Sequence, residues 1–477
     1  MTYRDLRDWL EQVEGFGELR VARGAHWDVE LGAVTELVHH RMRRGPAVLF
    51  DDIVDYPSGY RVLVNCLASP RRVALTLGLP PASSEGELVK LWQEKSKSYR
   101  PVPPVFVKDG PVMENVQTGH DIDLWKFPTP RWHELDGGRY IGTGSVDISR
   151  DPDSGVVNLG TYRVMVVDRN HLGFYISPGK HGRIHRDKFF ERDEPMPVAM
   201  SFGHDPLIFL VGSMEVPNDV CEYDYAGWLK GEPLEVIRGE FTGLPLPARG
   251  EIVVEGIAYP DKRAVEGPFG EWTGYYASGS REEPVVEVKA VYHRSNPIIV
   301  GLPPTKPPGE NCYYRAVLRS AAVEEELAKA GVPDVAGVWC HEAGGTRLLI
   351  VVAIHQRYPG HARQAGMIAS FCHAGHYMGR YVIVVDEDID ITNLDDVMWA
   401  MCTRSEPSDS IEIVRRALSS PLDPMIPPGN PAFNSRAIID ACRPYEWRDK
   451  FPPVAECSRD LVQKTREKWE GLLTAPR

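Results

Sequence analysis

From about residue 110 to about residue 305, short β-rich runs follow one another, each closed by Gly, Pro, Asn or Asp: IGTGSVDISR, VVNLGTYRVMVVD, LGFYISP, PLIFLVGSM, EIVVEGIAY, PVVEVKAVY and PIIVGL. Closely spaced strands with few helical stretches between them predict a barrel or a sandwich. The rest of the chain has to fold around that body. The proline-rich YRPVPPVFVKDGPV marks its start and GLPPTKPPGENCYY its end, so the expected division is 1–107, 108–308 and 309–477.

The flanks read differently. In the first, Leu6, Trp9, Leu10 and Val13 recur at helical spacing, as do Leu31, Val34, Leu37 and Val38, while PAVLF and YRVLVNCL read as short buried strands. In the last, strand-like TRLLIVVAI and RYVIVVDEDID alternate with helical PGHARQAGMIASF and NLDDVMWAMCTR, and SRDLVQKTREKWEGLL closes as an amphipathic helix. The acidic VDEDID is expected to end its strand at a solvated turn. The fold class is therefore α+β and multidomain, with an α/β unit at each end.

A net charge of −13 repels phosphate backbones and anionic membranes, so neither nucleic acid nor a membrane is an expected partner, whereas a local arginine can still receive an anionic small molecule. The opening MTYRDLRDWLEQVEGFG has no signal-peptide pattern, and no apolar run approaches the roughly 18 residues that span a bilayer. The eight cysteines are scattered without a C-x-x-C pair, as in reduced thiols, and a cytoplasmic location is expected.

Three stretches concentrate chemistry. RAVEGPFGEWTGYY sets Glu266 and Glu271 on either side of a Gly-Pro-Phe-Gly bend. Their opposite parity would point them to opposite faces of a regular strand, but the bend permits both to converge on one cavity. Convergence would keep one carboxyl protonated and ready to donate a proton; the other reading is a surface hairpin with two solvated acids. VVNLGTYRVMVVD carries Asn158, Thr161 and Arg163 in an apolar run, where an arginine either faces solvent or meets a carboxylate, and Asn158 shares a site with Arg163 only if the strand is bulged near Gly160. ISPGKHGRIHRD places His181 in a basic loop; together with Asn158 and Glu222 it would suit Mg²⁺ or Mn²⁺ better than zinc, and a plain surface loop is the alternative.

Taken in order, NLGTYR, SPGKH, GSMEVPNDVCEYDYAG and EGPFGEWTGYY resemble the UbiD-type decarboxylases, which use prenylated FMN to remove carboxyl groups from aromatic and unsaturated acids. The resemblance runs over nearly the whole chain. It implies a catalytic set of Arg163, Glu266 and Glu271, with the Arg163–Glu266 pair orienting the substrate and Glu271 donating the proton. It also implies metal ligands at Asn158, His181 and Glu222 for Mn²⁺ (or Mg²⁺) against the cofactor phosphate, K⁺ nearby, and flavin contacts from Thr161, Tyr162, Lys180, Ser213 and Met214. A further basic residue from the C-terminal half is implied but not placed. The implied architecture is an N-terminal α/β domain, a central split β-barrel resembling flavin reductases and a C-terminal α/β oligomerisation domain. A flavin prenyltransferase would supply the cofactor, the substrate would be a small carboxylic acid, and a homodimer or larger homo-oligomer is expected. Two rivals remain open on the residues: a plain FMN oxidoreductase on the same barrel, and a catalytically inert flavin-binding oligomer.

Overall fold

The structure is a computed structural model that describes residues 3–473 apart from 43, 215, 217–219 and 428. Part of the GSMEVPNDVCEYDYAG stretch therefore lies outside the described residues.

The first helix, Leu6–Gly15, buries Leu6, Trp9, Leu10 and Val13 as their spacing predicts, and the Asp5 side chain caps it by accepting from the N–H groups of Arg7 and Asp8. The second, Glu30–Arg41, follows its pattern less closely: Leu31 is buried, Val34 and Val38 are half-buried, and Leu37 is 57% exposed. It buries Gly32 and Thr35 instead, because the helix lies directly on the backbone at Trp132; a Cβ at Gly32 would sit 1.8 Å from that carbonyl oxygen. A four-stranded sheet in the order Leu19–Arg23, Ala47–Asp51, Arg61–Val64, Ile298–Gly301 packs against this unit.

Its last strand comes from PIIVGL, which the sequence places in the central β region. It pairs parallel to Arg61–Val64. A run of Ile298, Ile299 and Val300 buried on both faces is what a parallel sheet demands.

Nine antiparallel strands form the central sheet, running Arg139–Gly142, Val164–Val166, His171–Gly173, Arg281–His293, Ile252–Glu266, Met196–Gly203, Val146–Arg150 and Val157–Gly160, with Asn115–Thr118 added against Arg281–His293. Two strands adjacent in sequence, Val157–Gly160 and Val164–Val166, lie six strand-to-strand steps apart in this order. At about 4.8 Å per step a flat sheet would separate them by about 29 Å. The three residues Thr161–Arg163 that join them reach at most about 14 Å. The sheet must therefore roll into a half-barrel whose two ends are brought together by Thr161–Arg163.

A bulge keeps the long hairpin in this sheet in step: Glu255 faces Ala290 but Gly256 faces Val288, so Lys289 is looped out. Parity changes there, and Val286, Val288 and Val291 all enter one core cluster with Val198, Met200, Phe202, Ile252 and Val254. Ala199, Val253, Ala290 and Tyr292 point to the other face.

PLIFLVGSM differs from its strand-like reading. Pro206–Gly212 is a helix, with Pro206 in its first turn and the Asp205 side chain accepting from Leu207 N–H. A short apolar run fits a buried helix as well as a strand, and the cap decides between them.

The C-terminal sheet runs Val335–Cys340, Leu349–Ile354, Tyr381–Asp386, Phe433–Ala441, Ile411–Leu418. Alternate residues face opposite layers: Ile350, Val352, Val382 and Val384 pack with helix His361–Phe371, and Val351, Ala353, Ile383 and Val385 with helix Leu394–Arg404. VDEDID ends its strand at an exposed turn as expected, with Glu387, Asp388 and Asp390 exposed, but Asp386 itself is buried and paired with Arg404 and Arg443 at 3.0 Å each.

The N-terminal and central sheets meet at a point that tolerates no side chain. A Cβ on Gly203 would stand 1.9 Å from the carbonyl oxygen of Ile298. Gly203→Ala is expected to lower stability by about 1–3 kcal/mol, seen in thermal unfolding as a drop of a few degrees in Tm; an unchanged Tm would mean the two sheets are not held in contact there.

Candidate active site

Rolling the sheet fixes where Arg163 goes. It is the last residue of the short bridge between the two sheet ends, and Glu266 ends the long strand Ile252–Glu266. Beyond Glu266 the chain turns at Gly267, whose φ of 84° lies in the left-handed region open to glycine without strain. A second tight turn holds Glu271: its N–H donates to the Tyr275 carbonyl at 2.9 Å, and Gly274 N–H donates to the Glu271 carbonyl at 2.8 Å.

The two carboxylates then meet on one guanidinium. Arg163 Nε and Nη2 donate to the two oxygens of Glu266 at 2.7 Å each, a bidentate pair, and Nη1 donates to Glu271 Oε1 at 3.3 Å. The side chains are largely sequestered, with relative exposures of 9% for Arg163, 2% for Glu266 and 17% for Glu271. Arg163 and Asn158 lie on either side of a break in the strand after Gly160, so it is the chain leaving the sheet there that frees them from strand parity.

The electrostatics separate the acids. Burial pushes the Glu271 carboxyl above its ordinary value; Arg163 and Arg281 oppose that shift, and Glu266 adds to it. For Arg163, burial disfavours the charge but the hydrogen bonds and charge of Glu266 outweigh it, so the guanidinium is held more firmly protonated. The arrangement is an Arg163–Glu266 ion pair beside a second carboxyl that burial makes harder to ionise.

Three residues of this site were not singled out in the sequence. The buried Tyr140 hydroxyl donates to Glu266 Oε1 at 3.1 Å, and its ring stacks on Phe269 with centroids 3.9 Å apart. The Tyr175 ring lies 4.5 Å from the Arg163 guanidinium and 3.8 Å from that of Arg281. No spacing rule links such positions, since Tyr140 and Glu266 are 126 residues apart. The aromatics after Glu271 do other work: Trp272 packs over Gly345, the Tyr276 hydroxyl donates to Asp136 at 2.9 Å, and Tyr275 is exposed.

Asn158, His181 and Glu222 come from three elements and converge. Asn158 Oδ1 is 3.2 Å from His181 Nδ1, and the Glu222 carboxyl accepts from the neighbouring Leu159 N–H at 2.8 Å. Asn158 and Glu222 are buried, Asn158 Nδ2 has no hydrogen-bond partner among the described residues, and burial pushes the Glu222 carboxyl up to about 7. No group of three or more His, Cys, Asp and Glu among the described residues could hold a metal, so a cation here would need the Asn158 amide oxygen.

The remaining expected contacts are spread around this trio. The Tyr162 hydroxyl accepts from Gly182 N–H at 3.1 Å, and its ring covers Gly160 and Gly182, where any Cβ would collide with it. Lys180 is exposed at the N-terminal end of helix His181–Glu191 and Thr161 is half-buried in the bridge. Ser213 is joined to the C-terminal domain by the Tyr314 hydroxyl at 3.1 Å, which in turn accepts from Arg315 Nε at 3.0 Å; Met214 packs at the edge of the core. Asp147, unremarked in the sequence, is fully buried opposite Gly160 with neither oxygen hydrogen-bonded among the described residues, and burial holds its carboxyl well above the usual range.

The fold is a half-barrel carrying an arginine between two acids, flanked by an α/β domain on either side. Family models agree over almost the entire chain: the 3-octaprenyl-4-hydroxybenzoate carboxy-lyase N-terminal domain matches residues 10–92, the Rift-related domain residues 105–307 and the C-terminal domain residues 312–441. The chain belongs to this family, UbiD, and is a carboxy-lyase.

It is 34% identical to the phenolic acid decarboxylase of Streptomyces sp. (strain D7) over 451 residues, 93% of each chain. It is 32% identical to the pyrrole-2-carboxylic acid decarboxylase of Pseudomonas aeruginosa over 487 residues, 98% of this chain and 97% of that one. Among solved structures it is similar to the UbiD-class enzyme HmfF from Pelotomaculum thermopropionicum. The complex with FMN matches at TM-score 0.85 and 30% identity, covering 97% of this chain and 99% of that one. An evolved dimeric form in complex with prFMN matches at TM-score 0.82 and 28% identity, covering 96% and 98%.

The raised Glu271 carboxyl has a consequence for stability. The folded protein keeps this proton to higher pH than the unfolded chain, so the contribution is complete below the ordinary glutamate value of 4.5 and is lost as pH rises through the higher folded value. Glu271→Gln removes that loss. The Tm of the variant relative to the parent should climb as pH rises from 4.5, and a pH-independent difference would refute the shift.

Proposed function

We propose that this protein is a non-oxidative, potentially reversible decarboxylase of an aromatic or α,β-unsaturated carboxylic acid that works with prenylated FMN. The observation that carries the reading is Arg163 bridging Glu266 and Glu271. Prenylated FMN, when bound, supplies the sink for the electrons that CO₂ leaves behind.

The side chains divide the remaining work. The Arg163–Glu266 pair, steadied by the Tyr140 hydroxyl, is a rigid charged edge that orients the substrate carboxylate. Glu271, whose carboxyl burial makes more reluctant to ionise, donates a proton to the carbon that has lost CO₂ and takes one back from solvent afterwards. In the carboxylation direction the same group is the base.

The donors present fit a divalent cation on the cofactor phosphate. Asn158, His181 and Glu222 would hold Mn²⁺ or Mg²⁺ through an amide oxygen, an imidazole and a carboxylate, and the unpaired Asn158 Nδ2, a hydrogen-bond donor, would be satisfied by an acceptor such as a phosphate oxygen. K⁺ would sit nearby, with Thr161, Tyr162, Lys180, Ser213 and Met214 around the flavin. Arg315, hydrogen-bonded through Tyr314 to Ser213, is the C-terminal cation best placed to add charge at the phosphate.

The half-barrel is read as a split barrel of the flavin-reductase kind and the C-terminal domain as the oligomerisation domain. Exposed Ile413, Phe433, Leu461 and Val462 on the C-terminal domain and terminal helix favour a homodimer or larger homo-oligomer. A flavin prenyltransferase would supply the cofactor. No helix among the described residues is long and apolar enough to cross a membrane, and the proposed location is the cytoplasm.

Co-production with a flavin prenyltransferase, followed by mass identification of the bound flavin and a CO₂-release screen of acids, tests the reading. Arg163→Ala and Glu271→Gln should each lower turnover by about 10²–10⁴-fold while Glu271→Gln keeps its flavin. NAD(P)H oxidation without CO₂ release would instead identify a plain FMN oxidoreductase, and a flavin-loaded protein inert toward every acid would identify a binding oligomer.

A further inference from the structure

We propose that Arg281 is a second recognition residue of the site and gives its unused N–H donors to a carboxylate or phenolic oxygen of the substrate. This rests on the decarboxylase reading above. Arg281 is paired across the hairpin directly with Glu266, and directly opposed residues of an antiparallel ladder share a face. Arg281 therefore stands on the side of the sheet that carries Glu266.

Its surroundings agree. The guanidinium stacks 3.8 Å from the centroid of Tyr175, the ring that also lies 4.5 Å from Arg163, and its charge acts on the Glu271 carboxyl. One aromatic ring thus carries both guanidinium groups, and Glu271 feels both.

The hydrogen-bond inventory distinguishes the two arginines. All three nitrogens of Arg163 already donate to Glu266 or Glu271. Arg281, one third exposed, forms an ion pair with Glu283 through Nε at 2.9 Å, yet its Nε and Nη2 atoms are buried with no hydrogen-bond partner among the described residues, so its charge is compensated while its donors are not. Buried guanidinium donors left without acceptors are costly. An oxygen arriving with the substrate removes that cost, so binding of an anionic or phenolic acid is favoured over a ligand without it. Tyr175 keeps the guanidinium plane fixed, which suits recognition of a planar carboxylate.

The test compares the prenylated-FMN holoenzyme with its Arg281→Met and Arg281→Lys variants. Steady-state decarboxylation of 4-hydroxybenzoate and pyrrole-2-carboxylate gives KM and kcat, and flavin absorbance titration gives Kd for each acid and its primary carboxamide. Arg281→Met should raise KM and Kd for the acid about tenfold, the scale of one lost charge-assisted hydrogen bond, with kcat within about threefold and the Kd of pyrrole-2-carboxamide, which has neither a carboxylate nor a phenol, unchanged. Arg281→Lys should fall between the two. Parental KM and Kd in both variants would overturn the proposal, as would a fall in kcat at unchanged KM with a displaced pH profile, which would place Arg281 on Glu271 rather than on the substrate. If Arg281→Met does not fold, the Lys variant alone decides by the same criteria. An acid found in the CO₂-release screen replaces these two where the parent turns over neither, and a parent holoenzyme inert toward every acid screened would remove the decarboxylase reading, and the Arg281 assignment with it.

Discussion

The guanidinium of Arg163 is the interaction on which the site depends. Two carboxyls brought this close would repel if both were charged, and one buried acid alone would simply take up a proton. With Arg163 bidentate on Glu266 and singly bonded to Glu271, one acid is committed to the ion pair and the other is left nearer to neutrality. Two chemically identical side chains thereby acquire different surroundings. The asymmetry comes from burial, which raises the Glu271 carboxyl, and from the single 3.3 Å bond that Arg163 gives it against two of 2.7 Å on Glu266.

That geometry is set by the fold rather than by sequence neighbours. Glu266 and Glu271 are five positions apart, but Arg163 reaches them only because the central sheet rolls up, and it must roll because three residues connect strands that a flat sheet would hold far apart. The fold of the sheet and the assembly of the site are in this sense one event. The N-terminal unit supports it from outside: Ile298–Gly301 leaves the β region to close the N-terminal sheet, with bare Gly203 packed beneath it.

Much of this was legible in the residues. The amphipathic helix Leu6–Gly15, the alternating C-terminal strands and the β-rich centre follow from period alone. The EGPFGE bend announced that two acids of opposite parity could share a cavity. What escaped has physical reasons. PLIFLVG is short and wholly apolar, so only its Asp205 cap reveals a helix. PIIVGL reads equally well in either sheet until its partner Arg61–Val64 is known. Tyr140, Tyr175 and Arg281 lie on different strands or loops and meet Glu266 or Arg163 only through tertiary contacts, which no local pattern encodes. Asn158, His181 and Glu222 looked like scattered polar residues, and only the helix that starts at Glu222 brings its carboxyl to Leu159.

The open end of the half-barrel also accounts for where polar groups are buried. Val157–Gly160 is an edge strand, and an edge presents unpaired N–H and C=O groups that must be covered or satisfied. Here helices His181–Glu191 and Glu222–Lys230 lie beside that edge, and Glu222 uses its carboxyl to satisfy the Leu159 N–H. The same helices bring His181 and Glu222 to Asn158. Covering the edge with apolar residues alone would have left those backbone donors without acceptors, so the residues that satisfy them have to be polar. The buried Glu222 carboxyl is thus a consequence of leaving that strand edge unpaired, and Asn158, on the same strand, meets His181 of the covering helix at 3.2 Å.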